Sequence, residues 1–234
     1  MVGDLLHVLR FAFVVVAGLL APAASARAAQ AVDLELVLAV DASASVNYDE
    51  FQLQMSGLAE AFRHPAVIDA IRSAAPNGVA VSLVQWSGVG QHVQAVGWIE
   101  VRDSASANVL AARIDAAPRL TIGGATALGN AIEFSLNLLE TNAFRGARRT
   151  IDVSGDGTSN QGVSPIVARK RAVTAGATVN GLAILNEEPN LDAYYLAAVI
   201  GGSGAFLLTA DDYDDFARAI RLKLIAEITG APYA

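Results

Sequence analysis

Residues 34–51 read LELVLAVDASASVNYDEF, and this stretch decides the fold. Leu34 to Val40 is an almost unbroken apolar run, the pattern of a strand buried on both faces of a sheet. The run stops on Asp41, and Ser43 and Ser45 follow at alternate positions. Directly behind it, NYDEFQLQMSGLAEAFRH (47–64) puts Phe51, Met55, Leu58 and Phe62 at helical spacing, with Asn47 placed to cap the helix. A buried strand that ends in a carboxylate and two hydroxyls presents hard oxygen donors at the edge of its sheet.

The alternation continues along the chain. Pro65 breaks the first helix, a helical turn follows around AVIDAIRS, and VAVSLVQWS (79–87) predicts a second strand. Val89-Gly90 connects it tightly to QHVQAVGWIEV (91–101), whose polar–apolar alternation fits an antiparallel edge strand. Helical segments at 103–116 and 127–141 bracket the loop PRLTIGGAT (118–126). RRTIDVSGD (148–156) is a strand that also ends on a carboxylate. Then come a helix (164–175), a strand (178–185), a helix (191–199), a strand (205–210) and a terminal helix (211–228). Asp211, Asp212, Asp214 and Asp215 are expected in the first turn of that last helix, where carboxylates favour the helix dipole.

This rhythm predicts an α/β chain: a doubly wound, mostly parallel six-stranded sheet in the order 3-2-1-4-5-6, its third strand an antiparallel edge, with helices on both faces. In such sheets ligands gather beyond the carboxyl ends of the strands, where the strand order reverses. The first and fourth strands flank that reversal, so Asp41 and Asp156 should face each other across one crevice. The loop at 121–126 should bring Thr126 to the same edge. Asp41, Ser43, Ser45, Thr126 and Asp156 are therefore the candidate metal ligands. They are all oxygen donors and suit Mg²⁺ or Mn²⁺; Ca²⁺ usually asks for more carboxylates. Thr121 is the rival for the threonine position, and Asp152, inside the fourth strand, must be paired or neutral, either as a support behind the metal ligands or against Arg148 or Arg149 at the strand's entry.

Composition narrows the function classes. The 234 residues are 53% hydrophobic and 17% charged, enough for one large core, and the net charge of -7 argues against nucleic acid as a partner. At the N-terminus, Arg10 precedes FAFVVVAGLLAPAA and then Ala24-Ser25-Ala26 and Ala26-Arg27-Ala28, small-residue sites of the kind a signal peptidase cuts. Residues 1–28 are expected to be a signal peptide and 29–234 the mature domain, with no membrane span after cleavage. There are no cysteines, which excludes disulfides, thiolate metal sites and a cysteine nucleophile. Export without disulfides points to a periplasmic or secreted protein.

Enzymatic readings fare worse than binding ones. A phosphotransferase with an Asp after its first strand uses D-x-D, the second Asp as acid/base, and here that position is Ser43. Only His64 and His92 lie beyond the leader, neither expected at the crevice, and GGATALGN has no lysine for a phosphate loop. A metal-dependent hydrolase or phosphatase-like enzyme stays as the alternative, beside a degenerate scaffold that binds through another surface.

DASAS (41–45), GGAT followed by ALGNAI (123–132) and SGDG (154–157), in this order, resemble the three-part metal-ion-dependent adhesion site of the von Willebrand factor type A domain. The likeness runs from about residue 33 to 228, and the chain is similar in particular to an exported proteobacterial family of unknown function built from one such domain. The resemblance implies that Ser43, Ser45 and Thr126 ligate the metal directly and that Asp41 and Asp156 complete the shell, directly or through water. It also implies that a protein partner presenting an Asp or Glu side chain fills the remaining coordination position. QWSG at 85–88 departs from the usual Phe-Ser strand end, and Trp86 is expected in the core.

Overall fold

The computed structural model describes residues 29–121 and 123–230; the expected signal peptide lies outside them. Six strands, β1 (Gln30–Asp41), β2 (Val79–Trp86), β3 (His92–Val101), β4 (Phe144–Gly155), β5 (Thr178–Ile184) and β6 (Leu207–Ala210), form one sheet in the order β3-β2-β1-β4-β5-β6. Of these six strands only β2 and β3 pair antiparallel. The expected order and the antiparallel edge are both borne out.

The apolar run of β1 is long because it serves two cores. Leu34, Leu36, Leu38 and Val40 face α1 (Tyr48–Arg63), α2 (Pro65–Ala74), α3 (Ser104–Asp115) and α7 (Phe216–Thr229). Val37 and Ala39 face α4 (Leu128–Glu140), α5 (Pro165–Thr174) and α6 (Leu191–Tyr194), which runs on as a π-helical turn, Tyr195–Val199. Asn47 caps α1 in a reciprocal box with Glu50, and Pro65, the breaker, itself opens α2 with His64 Nδ1 accepting from the Ala66 N–H. No helix among the described residues is long and apolar enough to cross a membrane.

Two expectations change. The last helix begins at Phe216, so Asp211, Asp212 and Asp214 lie in the loop ahead of it and Asp215 at its cap position. Two of these carboxylates take local N–H groups instead: Asp212 Oδ1 accepts from Asp215 N at 2.9 Å and Asp215 Oδ2 from Asp211 N at 3.3 Å. Short acidic side chains compete with the helix for the backbone in this way. Asp152 does not meet Arg148 or Arg149. Arg148 donates to the carbonyls of Glu227 and Ile228, and Arg149 to that of Ala175. Because Ile151 and Val153 take the opposite face, Asp152 points under α7, where Lys223 Nζ lies 2.8 Å from its Oδ1 and 2.7 Å from Glu227 Oε1.

Candidate metal centre

β1 ends at the register Asp41↔Trp86 on one side and Val40↔Ser154 on the other. Its continuation therefore emerges between the ends of β2 and β4, where the strand order reverses. The turn after Asp41 is closed by its own side chain: the Ser43 N–H donates to Asp41 Oδ1 at 2.7 Å. Gln54, buried on α1, donates to the Asp41 carbonyl at 3.1 Å and fixes the strand end against the helix. Ser43 and Ser45 then bring their hydroxyls within 3.1 Å of each other, and Ser45 Oγ donates to Asp156 Oδ1 at 2.8 Å. The two strand ends are thus joined by side chains across the crevice.

The glycine loop arrives from the β2 side. Ala44 N donates to the Gly124 carbonyl at 3.2 Å, and Ser87, just past β2, donates to the carbonyl of Gly123. Gly124 has φ +100°, and a Cβ there would stand 2.9 Å from Ser87 Oγ, so only glycine suits the position. Thr126 is held to the loop after β4. Its N–H donates to Asn160 Oδ1 at 2.9 Å, and its carbonyl accepts from Asn160 N at 3.0 Å and Ser159 Oγ at 3.1 Å. Thr121 is buried, with its hydroxyl unpartnered among the described residues.

The electrostatics are those of a site built around two carboxylates. Asp41 and Asp156 are both fully buried. Burial, reinforced by the charge of Asp156, pushes the Asp41 carboxyl up to about 8 against the hydrogen bonds from Ser43. Asp41 Oδ2 has no hydrogen-bond partner among the described residues. The neighbouring Arg119 makes its bonds to backbone, its Nη2 donating to the carbonyls of Ala42 and Ser43 at 2.9 and 3.0 Å, and its charge only partly offsets the rise at Asp41. Tyr213, from the loop before α7, donates to Asp156 Oδ2 at 3.0 Å. Burial and the nearby Asp156 raise the Tyr213 pKa far above its ordinary value, so it stays a donor.

A buried carboxylate oxygen without a partner, a second carboxylate beside it and hydroxyls on the same loops form a donor set for a hard divalent cation. Among the described residues no group of three or more His, Cys, Asp or Glu could hold a metal, so any cation here depends on hydroxyl ligands as well as acids. Tyr213, Asn160, Gln54 and Arg119 escaped the sequence reading. Nothing local marks them, because each acts on a residue more than a dozen positions away. His92 is nearer the site than expected: its ring lies beside the backbone of Ala127, stacked 5.8 Å from Phe134, and burial lowers its pKa.

A mixed sheet in the order 3-2-1-4-5-6, with DASAS, GGAT and SGDG gathered at its reversal, has the fold of solved von Willebrand factor type A domains. The chain belongs to the family described as "Protein of unknown function (DUF1194)", whose model matches residues 31–232. No curated protein matches the chain. Among solved structures it is similar to proximal thread matrix protein 1 from the mussel byssus, with TM-score 0.60 and 18% identity over 86% of this chain and 49% of that one. The chain thus spans less than half of the mussel protein. Another structure of that protein, described as having a zinc-occupied MIDAS motif, matches with TM-score 0.58 and 16% identity over 82% of this chain and 45% of that one. The vWF domain of the type V pili tip protein Mfa5 from Porphyromonas gingivalis matches over 87% of this chain and 97% of that one, with TM-score 0.60 and 11% identity.

Proposed function

We propose that this chain is an exported, metal-dependent protein-binding module without catalytic activity. Asp41, Ser43, Ser45, Thr126 and Asp156 hold a divalent cation, Mg²⁺ first and Mn²⁺ or Ca²⁺ as alternatives. The cation, as a Lewis acid, supplies a docking point for an Asp or Glu side chain of a partner protein. The observation that carries this reading is the unpartnered, buried Asp41 Oδ2 beside a second buried carboxylate. Two such charges destabilise each other in a dry site, and a cation offsets both.

The chain's own residues prepare the site. Ser43 N orients Asp41, Tyr213 orients Asp156, and Ser45 spans the gap between the strand ends. Around the same edge, Tyr48 follows the serine loop, Val89 tips the β2–β3 turn and Leu120 precedes the glycines; all three are exposed. They supply apolar contact area around a point that selects for a carboxylate. The zinc-occupied motif of the mussel protein and the pilus-tip role of Mfa5 support a binding rather than a catalytic reading.

The deciding experiment is a calorimetric titration of chelator-stripped protein with Mg²⁺, Mn²⁺ and Ca²⁺, beside a folded Asp41→Ala/Ser43→Ala variant. Saturable one-site binding in the wild type, lost in the variant, is expected. No binding at millimolar ion would sink the metal reading. It would also move the function to another surface.

A further inference from the structure

Tyr195 is fully buried, and its hydroxyl has no hydrogen-bond partner among the described residues. A buried hydroxyl left unpaired costs about 1–3 kcal/mol, so phenylalanine would serve the core better unless the oxygen has a task. Its surroundings show how it is held. Tyr195 opens the π-helical turn after α6, a form found mostly as single-turn bulges in helices and frequently at functional sites, and its carbonyl accepts from Ile200 N at 3.0 Å. The ring lies on the sheet over β5, where a Cβ on Gly181 would stand 2.7 Å from its Cδ1. The hydroxyl reaches β4, where a Cβ on Gly155 would stand 3.0 Å from it and 2.8 Å from Asp41 Oδ2. Two glycines on adjacent strands therefore clear a path for one phenol. At its end two unpartnered buried oxygens, Tyr195 Oη and Asp41 Oδ2, share the bare face of Gly155.

We propose that Tyr195 is a positioning residue for the cation site: its hydroxyl donates to Asp41 Oδ2 when a cation is bound. Ser43 N already orients Oδ1, so the phenol fixes the second oxygen and sets the plane of the carboxylate. Gly155 is then required by this contact, since any side chain there wedges the two oxygens apart. The inference rests on the metal-binding reading and assigns it a residue from outside the three motif loops. Partners that orient a ligating carboxylate in this way are worth about 10–100-fold in metal affinity.

The test compares wild type with Tyr195→Phe by calorimetric titration with Mg²⁺ and Mn²⁺, and by thermal unfolding in chelator. The variant is expected to bind 10- to 100-fold more weakly while its metal-free unfolding midpoint stays the same or rises. A merely structural tyrosine gives the opposite pair, a lower midpoint and unchanged affinity, and that result overturns the proposal. A tyrosine ultraviolet difference spectrum on adding Mg²⁺ provides a second readout; a change carried by Tyr195 in wild type vanishes in Tyr195→Phe. If that change persists in the variant, the hydroxyl is not engaged and the proposal fails. If wild type binds neither ion, the metal reading itself falls, a result distinct from normal binding by the variant.

Discussion

Tyr213 donates a 3.0 Å hydrogen bond to Asp156 Oδ2, tying the loop before α7 to the end of β4. Asp156 Oδ1 is engaged by Ser45, so both oxygens of this carboxylate are oriented by hydroxyls. Tyr213→Phe keeps the packing and removes one donor. It leaves a buried carboxylate oxygen unpaired, and metal-free stability should fall by about 1.5–3 kcal/mol. Metal affinity should fall about 10–100-fold. Urea unfolding in chelator and calorimetric titration read the two losses. An unchanged variant in both would mean that Asp156 is held by other contacts.

Asp41 predicts the reverse relation between stability and binding. Its carboxyl is pushed up to about 8 by burial and by Asp156, so in the metal-free protein the charged form is disfavoured. Asp41→Asn removes that charge at nearly constant shape. In chelator at pH 8 the variant should be more stable than wild type, by about 1–3 kcal/mol, yet bind no divalent cation. A less stable variant that still binds metal would contradict both halves.

Under α7, Lys223 is fully buried between Asp152 and Glu227, and Asn180 of β5 donates to the same Glu227 oxygen at 2.9 Å. Burial alone would lower the lysine pKa, but the two carboxylates more than offset it, and the net direction is upward. Lys223→Met strands two buried acids and should cost about 3–5 kcal/mol. Adding Asp152→Leu and Glu227→Leu should restore most of that loss, because an apolar replacement of the whole cluster carries no desolvation cost. Urea midpoints of the single and triple variants decide it. Equal midpoints would show that the cluster is not coupled as a unit.

The sequence made the sheet legible because β1 carries two interleaved period-2 patterns and each site loop directly follows a strand or opens a helix. Those signals are local. Asp152 shows where such reading ends. Its polar side chain stood out in an apolar strand, but its partner lies on the terminal helix, and the nearest cations in sequence, Arg148 and Arg149, are spent on carbonyls. The acids at 211–215 misled for a different reason. Dipole preference and side-chain capping of turns favour the same residues in the same place, and only the backbone decides between them. Tyr195 and Tyr213 left no trace, since buried tyrosines read as core until the oxygens they approach are known.

The buried cluster also sets a pH dependence. One lysine and two carboxylates are neutral together only while one proton is retained, and burial followed by the charge of Glu227 pushes the Asp152 carboxyl up to about 7. The folded value lies above the unfolded one of 3.8, so this contribution to stability is complete below about pH 4 and is lost as pH rises through 7. Across that window the folded state holds the extra proton, and unfolding free energy should decline by up to about 1.4 kcal/mol per pH unit from Asp152. Asp152→Asn removes it. Urea unfolding in chelator at pH 5, 6, 7 and 8 should give a shallower decline for the variant than for wild type. Parallel curves would place the proton elsewhere, with Asp41 the next group to substitute.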